Sequence, residues 1–230
     1  MRALAIGAAG CAAAWSLPAL APVMPLLCRG LGVPRRLPDG RGVVALTFDD
    51  GPHPQGTPAV LEVLERAGAH ATFFVVGEQV ERRPALAAEI AAAGHGIALH
   101  CHRHRNLLRL GPRALRDDLD RAGQLIAEAT GQAPVLYRPP YGIFSSVGLS
   151  VVRRAGLAPL LWSRWGRDWT RRATPGSIVS DVTGDLTAGD VLLLHDADYY
   201  SADDSWRRTA AALPLVLEEI ARRGLRPVLA

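Results

Sequence analysis

The sequence has few cysteines, few aromatic residues and no long run of basic charge. Its three cysteines are an odd number, and two of them, Cys11 and Cys28, lie in an N-terminal apolar stretch, so a disulfide framework is not indicated. All 26 basic residues are arginines, scattered along 230 residues with a net charge of +4. Nucleic-acid binding requires a basic patch, and no such run is present. We therefore expect no nucleic-acid partner.

Charged residues are also absent between Arg2 and Arg29. This stretch is long enough for a signal peptide, an uncleaved anchor or a membrane span. Prolines interrupt this stretch. The triplet that ends at Ala21 resembles a signal-peptidase site, but Pro22 is a poor residue to follow a cleavage point. We predict an apolar leader over residues 1–30, a linker rich in Pro, Gly and Arg over residues 31–42, and one folded domain over residues 43–230.

The leader predicts a protein that is secreted or membrane-anchored and faces the cell exterior, with membrane association through the N-terminal segment. The arginines that follow it leave a cytoplasmic location as the alternative, because positive charge flanking a span tends to stay inside. We expect a monomer.

Seven short apolar runs alternate with helical patterns from Val43 to the C-terminus. Strands that alternate with helices predict parallel pairing with crossover helices. Roughly 190 residues are too few for eight units, which typically take about 250. The expected fold is α/β, an incomplete and distorted (β/α)7 barrel of parallel strands.

Polar residues fall at the carboxyl ends of these predicted strands. They are Asp49, Asp50, His100, Arg138, Trp162 and His195. In an α/β barrel these ends form one rim, where active sites are built. The Gly-Pro after the two aspartates supplies a turn that can bring both carboxylates to the same side.

Four histidines lie close together in "HGIALHCHRH", residues 95–104. A helical turn would pair His100 with His104, whereas an extended chain would pair His100 with His102. Either pair with one aspartate makes a three-ligand site with open positions for water, which is typical of a catalytic metal. The other aspartate is then free to act as a general base, and His195 as an acid.

Five motifs follow one another along residues 43–230: "TFDDGP", "HCHRH", "RPPYG", "GRDW" and "LLLHD". In this order they resemble the motifs of the polysaccharide deacetylases, the NodB-homology or carbohydrate esterase 4 family. The resemblance implies that Asp49 is the catalytic base and that Asp50, His100 and His104 hold the metal. It also implies that Arg138 holds the base carboxylate.

The later motifs imply the remaining roles. Tyr141 matches a backbone N–H donor to the oxyanion, and His195 matches the general acid. Asp168 matches the carboxylate that orients and charges that histidine. Leu194 matches part of the small apolar pocket for the acetyl methyl group.

The resemblance implies a hydrolase that removes N-acetyl groups from N-acetylglucosamine-containing polysaccharide or oligosaccharide. Its implied cofactor is a divalent metal, first Zn²⁺, with Co²⁺, Mn²⁺ or Ni²⁺ as alternatives. The implied partner is an acetylated glycan: peptidoglycan, a chitin-like oligomer or an exopolysaccharide. Two other hypotheses stay open, an O-deacetylase of the acetyl xylan esterase type and a non-catalytic carbohydrate-binding protein on the same fold.

Overall fold

The structure, a computed structural model, describes residues 15–230. The first 14 residues of the predicted leader, with Cys11, lie outside the described residues. The described chain forms eight strands, which are β1 (Val43–Asp49), β2 (Thr72–Val76), β3 (Gly96–Cys101), β4 (Leu136–Tyr137), β5 (Ala158–Pro159), β6 (Arg164–Trp165), β7 (Val191–His195) and β8 (Arg226–Val228).

Helices connect these strands and cover the sheet. The α-helices are Pro25–Gly30, Gly56–Arg66, Gly77–Arg82, Pro84–Ala92, Pro112–Thr130, Ser146–Arg154, Pro175–Thr183 and Ser205–Arg222. Short 3₁₀ turns are Leu17–Val23, Leu107–Arg109 and Pro140–Gly142.

All strand pairs in the sheet are parallel, and their order is β5-β4-β3-β2-β1-β7-β6. The sheet curls but does not close, because β5 and β6 are its two edges. β8 lies outside this path and pairs with the first residues of β1. The predicted fold class, an incomplete and distorted (β/α)7 barrel, is confirmed.

β1 is the central strand, and its sequence explains its position. Six of its seven residues are buried, from Val44 to Asp49. A strand that is covered on both faces carries a continuous apolar run rather than an alternating one. The Phe48 ring stacks on Phe73 of β2 at 5.1 Å between centroids. The centre of the sheet is therefore rigid where β1 ends at the aspartates.

The segment before β1 packs against the domain. Ala21, Cys28 and Val33 are buried in the hydrophobic core. The Leu161 backbone N–H donates to the Pro34 carbonyl, so the chain before β1 borders the gap between β5 and β6. Within residues 15–230, no helix has both the length and the apolar character needed to cross a membrane. The division into leader, linker and domain stays a prediction.

Candidate active site

The two aspartates at the end of β1 face one pocket. Neighbouring strand residues point to opposite faces of a sheet. Asp49 is the last residue of β1, and Asp50 adopts a left-handed backbone with φ of 81°. This turn brings both carboxylates into a cavity of about 280 Å³ at the carboxyl ends of the strands.

Asp50, His100 and His104 form a candidate metal centre. The Oδ1 atom of Asp50 lies 3.5 Å from Nε2 of His100 and 3.5 Å from Nε2 of His104. The ligand atoms of the three residues lie within 4.8 Å of one another. Among the described residues, Asp50 Oδ1 is buried without a hydrogen-bond partner. An unsatisfied buried carboxylate oxygen facing two imidazole nitrogens fits a divalent cation.

A hydrogen bond fixes the tautomer of His100. Its Nδ1 lies 2.8 Å from the Arg138 carbonyl oxygen, which can only accept a hydrogen bond. The proton is therefore on Nδ1, and the lone pair of Nε2 points toward Asp50. A backbone carbonyl that orients an imidazole in this way is typical of metal-binding histidines.

Burial controls the charges of these three side chains. Burial lowers the pKa of His100 to about 3. Burial, with help from neighbouring His100, also lowers the pKa of His104 to about 3. Burial raises the pKa of Asp50 to about 7, against the favourable charge of His195. Both imidazoles are thus neutral at pH 7, as metal binding requires.

His102 does not belong to this group. Its backbone N–H donates to Asp118 at 2.6 Å, and its Nδ1 lies beside Gly77. The structure thus pairs His100 with His104, which the sequence spacing alone left open.

Arg138 holds the Asp49 carboxylate. Its guanidinium donates to Asp49 Oδ1 at 2.7 Å and to Thr47 Oγ1 at 2.9 Å. It also donates to two backbone carbonyls and lies over the Phe74 ring, with no exposed surface. Burial raises the pKa of Asp49, and the Arg138 charge opposes this rise. The carboxylate is held rigidly beside the candidate metal centre, and its Oδ2 lies 4.0 Å from His100 Nδ1.

His195, which lines the same cavity, forms a second ion pair with Asp168. Its Nδ1 lies 2.9 Å from Asp168 Oδ1, and its backbone N–H donates to Asp168 Oδ2 at 2.7 Å. The Thr209 hydroxyl also donates a hydrogen bond to Asp168 Oδ2, at 2.7 Å. Burial alone lowers the pKa of His195, but Asp168, with Asp50 and Asp49, overcomes this and raises it to about 10. The side chain is a protonated imidazolium at neutral pH.

Tyr141 lies at the pocket mouth in the turn Pro140–Gly142. Its backbone has φ of 61°, and its side chain is 56% exposed. Gly142 is needed here because an added Cβ would lie 2.6 Å from the Trp162 ring and 2.9 Å from Pro22 Cγ. The turn that carries Tyr141 is thus packed between the pocket wall and the N-terminal segment.

The prediction that Leu194 lines the pocket needs correction. Leu193 lines the cavity, whereas Leu194 is fully buried with its side chain against Gly166. Side chains alternate along β7, so the residue that shares the face of His195 is two positions before it. The apolar pocket residue is therefore Leu193.

Aromatic side chains form much of the remaining wall. The ring centroids of Trp162, Trp165 and Trp169 follow one another at 5.9 and 5.6 Å, and Trp169 lies edge-on to His195. Tyr200 also lines the cavity. Such flat apolar surfaces suit the faces of sugar rings.

Sequence reasoning missed three residues of the site. They are Leu193, Thr209 and the supporting Pro22. The alternation of β7 counted back from His195 identifies Leu193, but no sequence signal marks the other two.

Comparison with known proteins agrees with this geometry. Residues 36–160 match the family model described as polysaccharide deacetylase. The chain belongs to the polysaccharide deacetylase family. The family predicted from the motifs is confirmed, and with it the prediction of a hydrolase that deacetylates carbohydrate.

Two curated relatives cover most of the chain. The peptidoglycan-N-acetylglucosamine deacetylase of Bacillus cereus is 36% identical over 193 residues, which are 83% of this chain and 87% of that protein. The chitooligosaccharide deacetylase of Bradyrhizobium sp. (strain ANU 289) is 40% identical over 194 residues, which are 80% and 87% of the two chains.

A solved structure shares the architecture. The crystal structure of a peptidoglycan N-acetylglucosamine deacetylase superimposes with a TM-score of 0.81 at 28% identity, covering 87% of this chain and 92% of that chain.

Proposed function

We propose that the protein is a metal-dependent hydrolase that removes N-acetyl groups from N-acetylglucosamine-containing polysaccharide or oligosaccharide. One observation carries this proposal. A carboxylate held by Arg138 and an imidazolium held by Asp168 flank the same three candidate metal ligands in one cavity. Hydrolysis of an amide requires a base, an acid and a means of stabilising the oxyanion in one site.

The Asp50, His100 and His104 side chains would hold a divalent cation, most simply Zn²⁺, with Co²⁺, Mn²⁺ or Ni²⁺ as alternatives. When bound, such a cation acidifies water and polarises the acetamide carbonyl. Two neutral imidazoles and one carboxylate leave it with net positive charge.

Asp49 acts as the general base in this mechanism. Its Oδ1 is held by Arg138 while its other oxygen accepts the proton of the attacking water. Arg138 favours the ionised form of Asp49 despite its burial. Burial still raises the pKa of Asp49, and the guanidinium limits this rise, which favours the form that can accept a proton.

His195 acts as the general acid. The nitrogen that leaves the tetrahedral intermediate must gain a proton, because an amide anion is a poor leaving group. With a pKa of about 10, His195 carries that proton at neutral pH. Its Nδ1 is taken by Asp168, so Nε2 donates to the sugar amine. The products are acetate and a glucosamine unit.

The Tyr141 turn supplies the oxyanion contact in this proposal. A backbone N–H that is fixed before reaction stabilises developing charge without reorganisation. The left-handed backbone of Tyr141 and the packing of Gly142 hold this peptide in place. Leu193 then forms the apolar wall for the acetyl methyl group.

We also propose an acetylated envelope glycan as substrate and a secreted or membrane-anchored location. Relatives named for peptidoglycan and for chitooligosaccharides support the glycan. The apolar N-terminal sequence supports the location.

The test is an acetate-release assay on the full chain, stripped with a chelator and reloaded with each metal. The substrates are N-acetylglucosamine oligomers, peptidoglycan fragments and acetylated xylan. We expect release from the N-acetylated glycans that depends on metal. Release from acetylated xylan alone would support the O-deacetylase, and no release by metal-loaded protein would support a carbohydrate-binding protein.

Two variants separate the roles within the site. Asp49→Asn should abolish turnover and leave the metal bound, because a side-chain amide cannot accept the proton of water. His104→Ala should lose both turnover and metal. Turnover retained by Asp49→Asn would refute the assignment of the base.

A further inference from the structure

Exposed apolar side chains are concentrated in one short segment. Nine large hydrophobic residues are exposed in the described part of the chain, and five of them lie within ten residues. We call these five the N-terminal ridge; they are Leu17, Leu20, Val23, Met24 and Leu26. Val23 is 65% exposed and Leu26 is 83% exposed. Scattered exposed hydrophobic residues are ordinary, whereas a contiguous set marks an interaction surface.

The ridge is held in place by buried residues between its members. Ala21 has no exposed surface, and the Cys28 thiol donates to its carbonyl at 3.0 Å. Arg153, on the helix Ser146–Arg154, donates to the carbonyls of Leu31 and Gly32. One side of the segment therefore packs on the domain, and the other side presents the ridge to the outside.

The sequence around the ridge contains basic residues and no acidic ones. Residues 1–38 contain no Asp or Glu and four arginines, of which Arg36 is already paired with Asp190 at 2.8 Å. Arg29 belongs to the same short helix as the ridge residue Leu26. Arg153 and Arg154 line a shallow groove together with Pro18 and Leu31, which places two more arginines beside the segment. An apolar surface bordered by arginines is complementary to a bilayer with anionic headgroups.

We propose that the N-terminal ridge docks on the surface of a bilayer that contains anionic lipid. Its apolar side chains enter the interfacial layer, and the neighbouring arginines bind the headgroups. Residues 3–14 are uncharged in sequence and continue the apolar character up to the ridge. A second copy of the chain fits less well, since a two-fold contact would set these arginines against each other.

Docking at the ridge also positions the pocket. Pro22, between two ridge residues, packs against Gly142 in the turn of Tyr141. The bilayer surface would therefore lie close to the mouth of the active site. This inference concerns the segment and does not depend on the reaction that the site performs.

The test is vesicle flotation with the full chain. The vesicles contain phosphatidylcholine alone or phosphatidylcholine mixed with phosphatidylglycerol. We expect stronger partitioning to the mixed vesicles and a dependence on salt. Val23→Glu/Leu26→Glu should lower the partition coefficient by about tenfold or more, because two charged side chains oppose insertion.

A matched control carries the same charges elsewhere. Val135 and Leu215 are 67% and 46% exposed and lie outside the segment, so Val135→Glu/Leu215→Glu should partition like the unmodified chain. Thermal unfolding of all variants checks that each is folded. Arg29→Gln/Arg154→Gln should weaken binding to the mixed vesicles and leave binding to phosphatidylcholine unchanged.

Several results would overturn the proposal. Equal partitioning of the ridge variant and its control would show that the ridge does not contact lipid. Equal binding of the unmodified chain to both kinds of vesicle would remove the role of the arginines. A dimer that the ridge substitutions dissociate, with vesicle binding unchanged, would assign the ridge to a second copy.

Discussion

The ring of Tyr200 lies flat on the imidazole of His104, with 4.1 Å between centroids and 10° between planes. The Tyr200 hydroxyl donates to Glu78 at 2.7 Å, which fixes the ring from its far side. Among the described residues, His104 Nδ1 is buried without a hydrogen-bond partner. The stack therefore orients this candidate ligand, whereas a hydrogen bond orients His100.

Removal of the Tyr200 ring should weaken metal binding. Tyr200→Ala frees the His104 imidazole to rotate, so we expect zinc affinity to fall about 10- to 100-fold, as for the loss of other groups that orient ligands. Tyr200→Phe keeps the stack and loses only the hydroxyl, with its bonds to Glu78 and Gln79, and should bind zinc almost normally. Competition with a chromophoric chelator measures both. Equal affinities for the Ala and Phe variants would contradict this role.

Asp168 should control the pH range of activity. The donating form of His195 is the imidazolium, whose fraction falls as pH rises through its pKa of about 10. In Asp168→Asn the carboxylate that raises the pKa of His195 is lost, while burial still lowers it. The pKa of His195 therefore falls, and its imidazole loses the proton at lower pH. We expect the alkaline limb of kcat/KM to move to lower pH and kcat at pH 7 to fall about 10²- to 10⁴-fold.

Thr209→Val provides the control for this shift. It removes one hydrogen bond to Asp168 and keeps the carboxylate charge. Its alkaline limb should move much less than that of Asp168→Asn. An unchanged pH profile in Asp168→Asn would rule out His195 as the acid.

Leu193 and Leu194 are adjacent residues with different predicted effects. Leu193→Ala shortens a side chain of the pocket wall and so enlarges the pocket. The ratio of kcat/KM for propionyl to that for acetyl substrates should rise by a factor that corresponds to about 1–3 kcal/mol. Leu194→Ala leaves a cavity in the core beside Gly166 and should cost about 2–5 kcal/mol of unfolding free energy. Acyl-chain selectivity and urea unfolding distinguish the two. A selectivity change in Leu194→Ala alone would restore the original assignment.

Arg138 should stabilise the fold as well as the base. Arg138→Met leaves Asp49 buried without its cation, which typically costs about 3–5 kcal/mol. Removal of the guanidinium raises the pKa of Asp49 in the folded protein further above its value in the unfolded chain, which is about 3.9. Ionisation of Asp49 at higher pH therefore favours the unfolded state. The loss of stability should therefore be larger at pH 8 than at pH 4.

Urea unfolding of the metal-free protein at these two pH values measures the difference. Arg138→Lys keeps a positive charge and should lose less stability than Arg138→Met. A loss that does not change with pH would show that Arg138 acts through packing alone.

The sequence predicts the parts of this molecule that depend on short, regular patterns. Long apolar runs that end in polar residues predict the central strands and the rim that carries Asp49, His100 and His195. The structure has eight strands where the sequence predicts seven, and the additional one is β6. Its two residues, Arg164 and Trp165, show no periodicity and pair only with β7.

The assignment of Leu194 is wrong because side chains alternate along β7, and this alternation places Leu193 on the face of His195. The other differences arise from contacts between distant residues. Thr209 joins Asp168 from a helix 41 residues later, and its hydroxyl resembles any other in that helix. The burial of Ala21 and Cys28 against the domain likewise has no sequence signal, because the apolar stretch that contains them predicts a leader.

The peptide bond between Ala21 and Pro22 is where an export peptidase would cut if it recognised the preceding triplet. That bond joins a residue with no exposed surface to the proline that supports Gly142. Cleavage there would make Pro22 a charged N-terminus beside the apolar wall at Gly142, and it would remove Ala21, whose carbonyl accepts a hydrogen bond from the Cys28 thiol. Cleavage at this bond would thus set a charge against the turn that carries Tyr141, so the present packing of that turn depends on an intact Ala21–Pro22 bond.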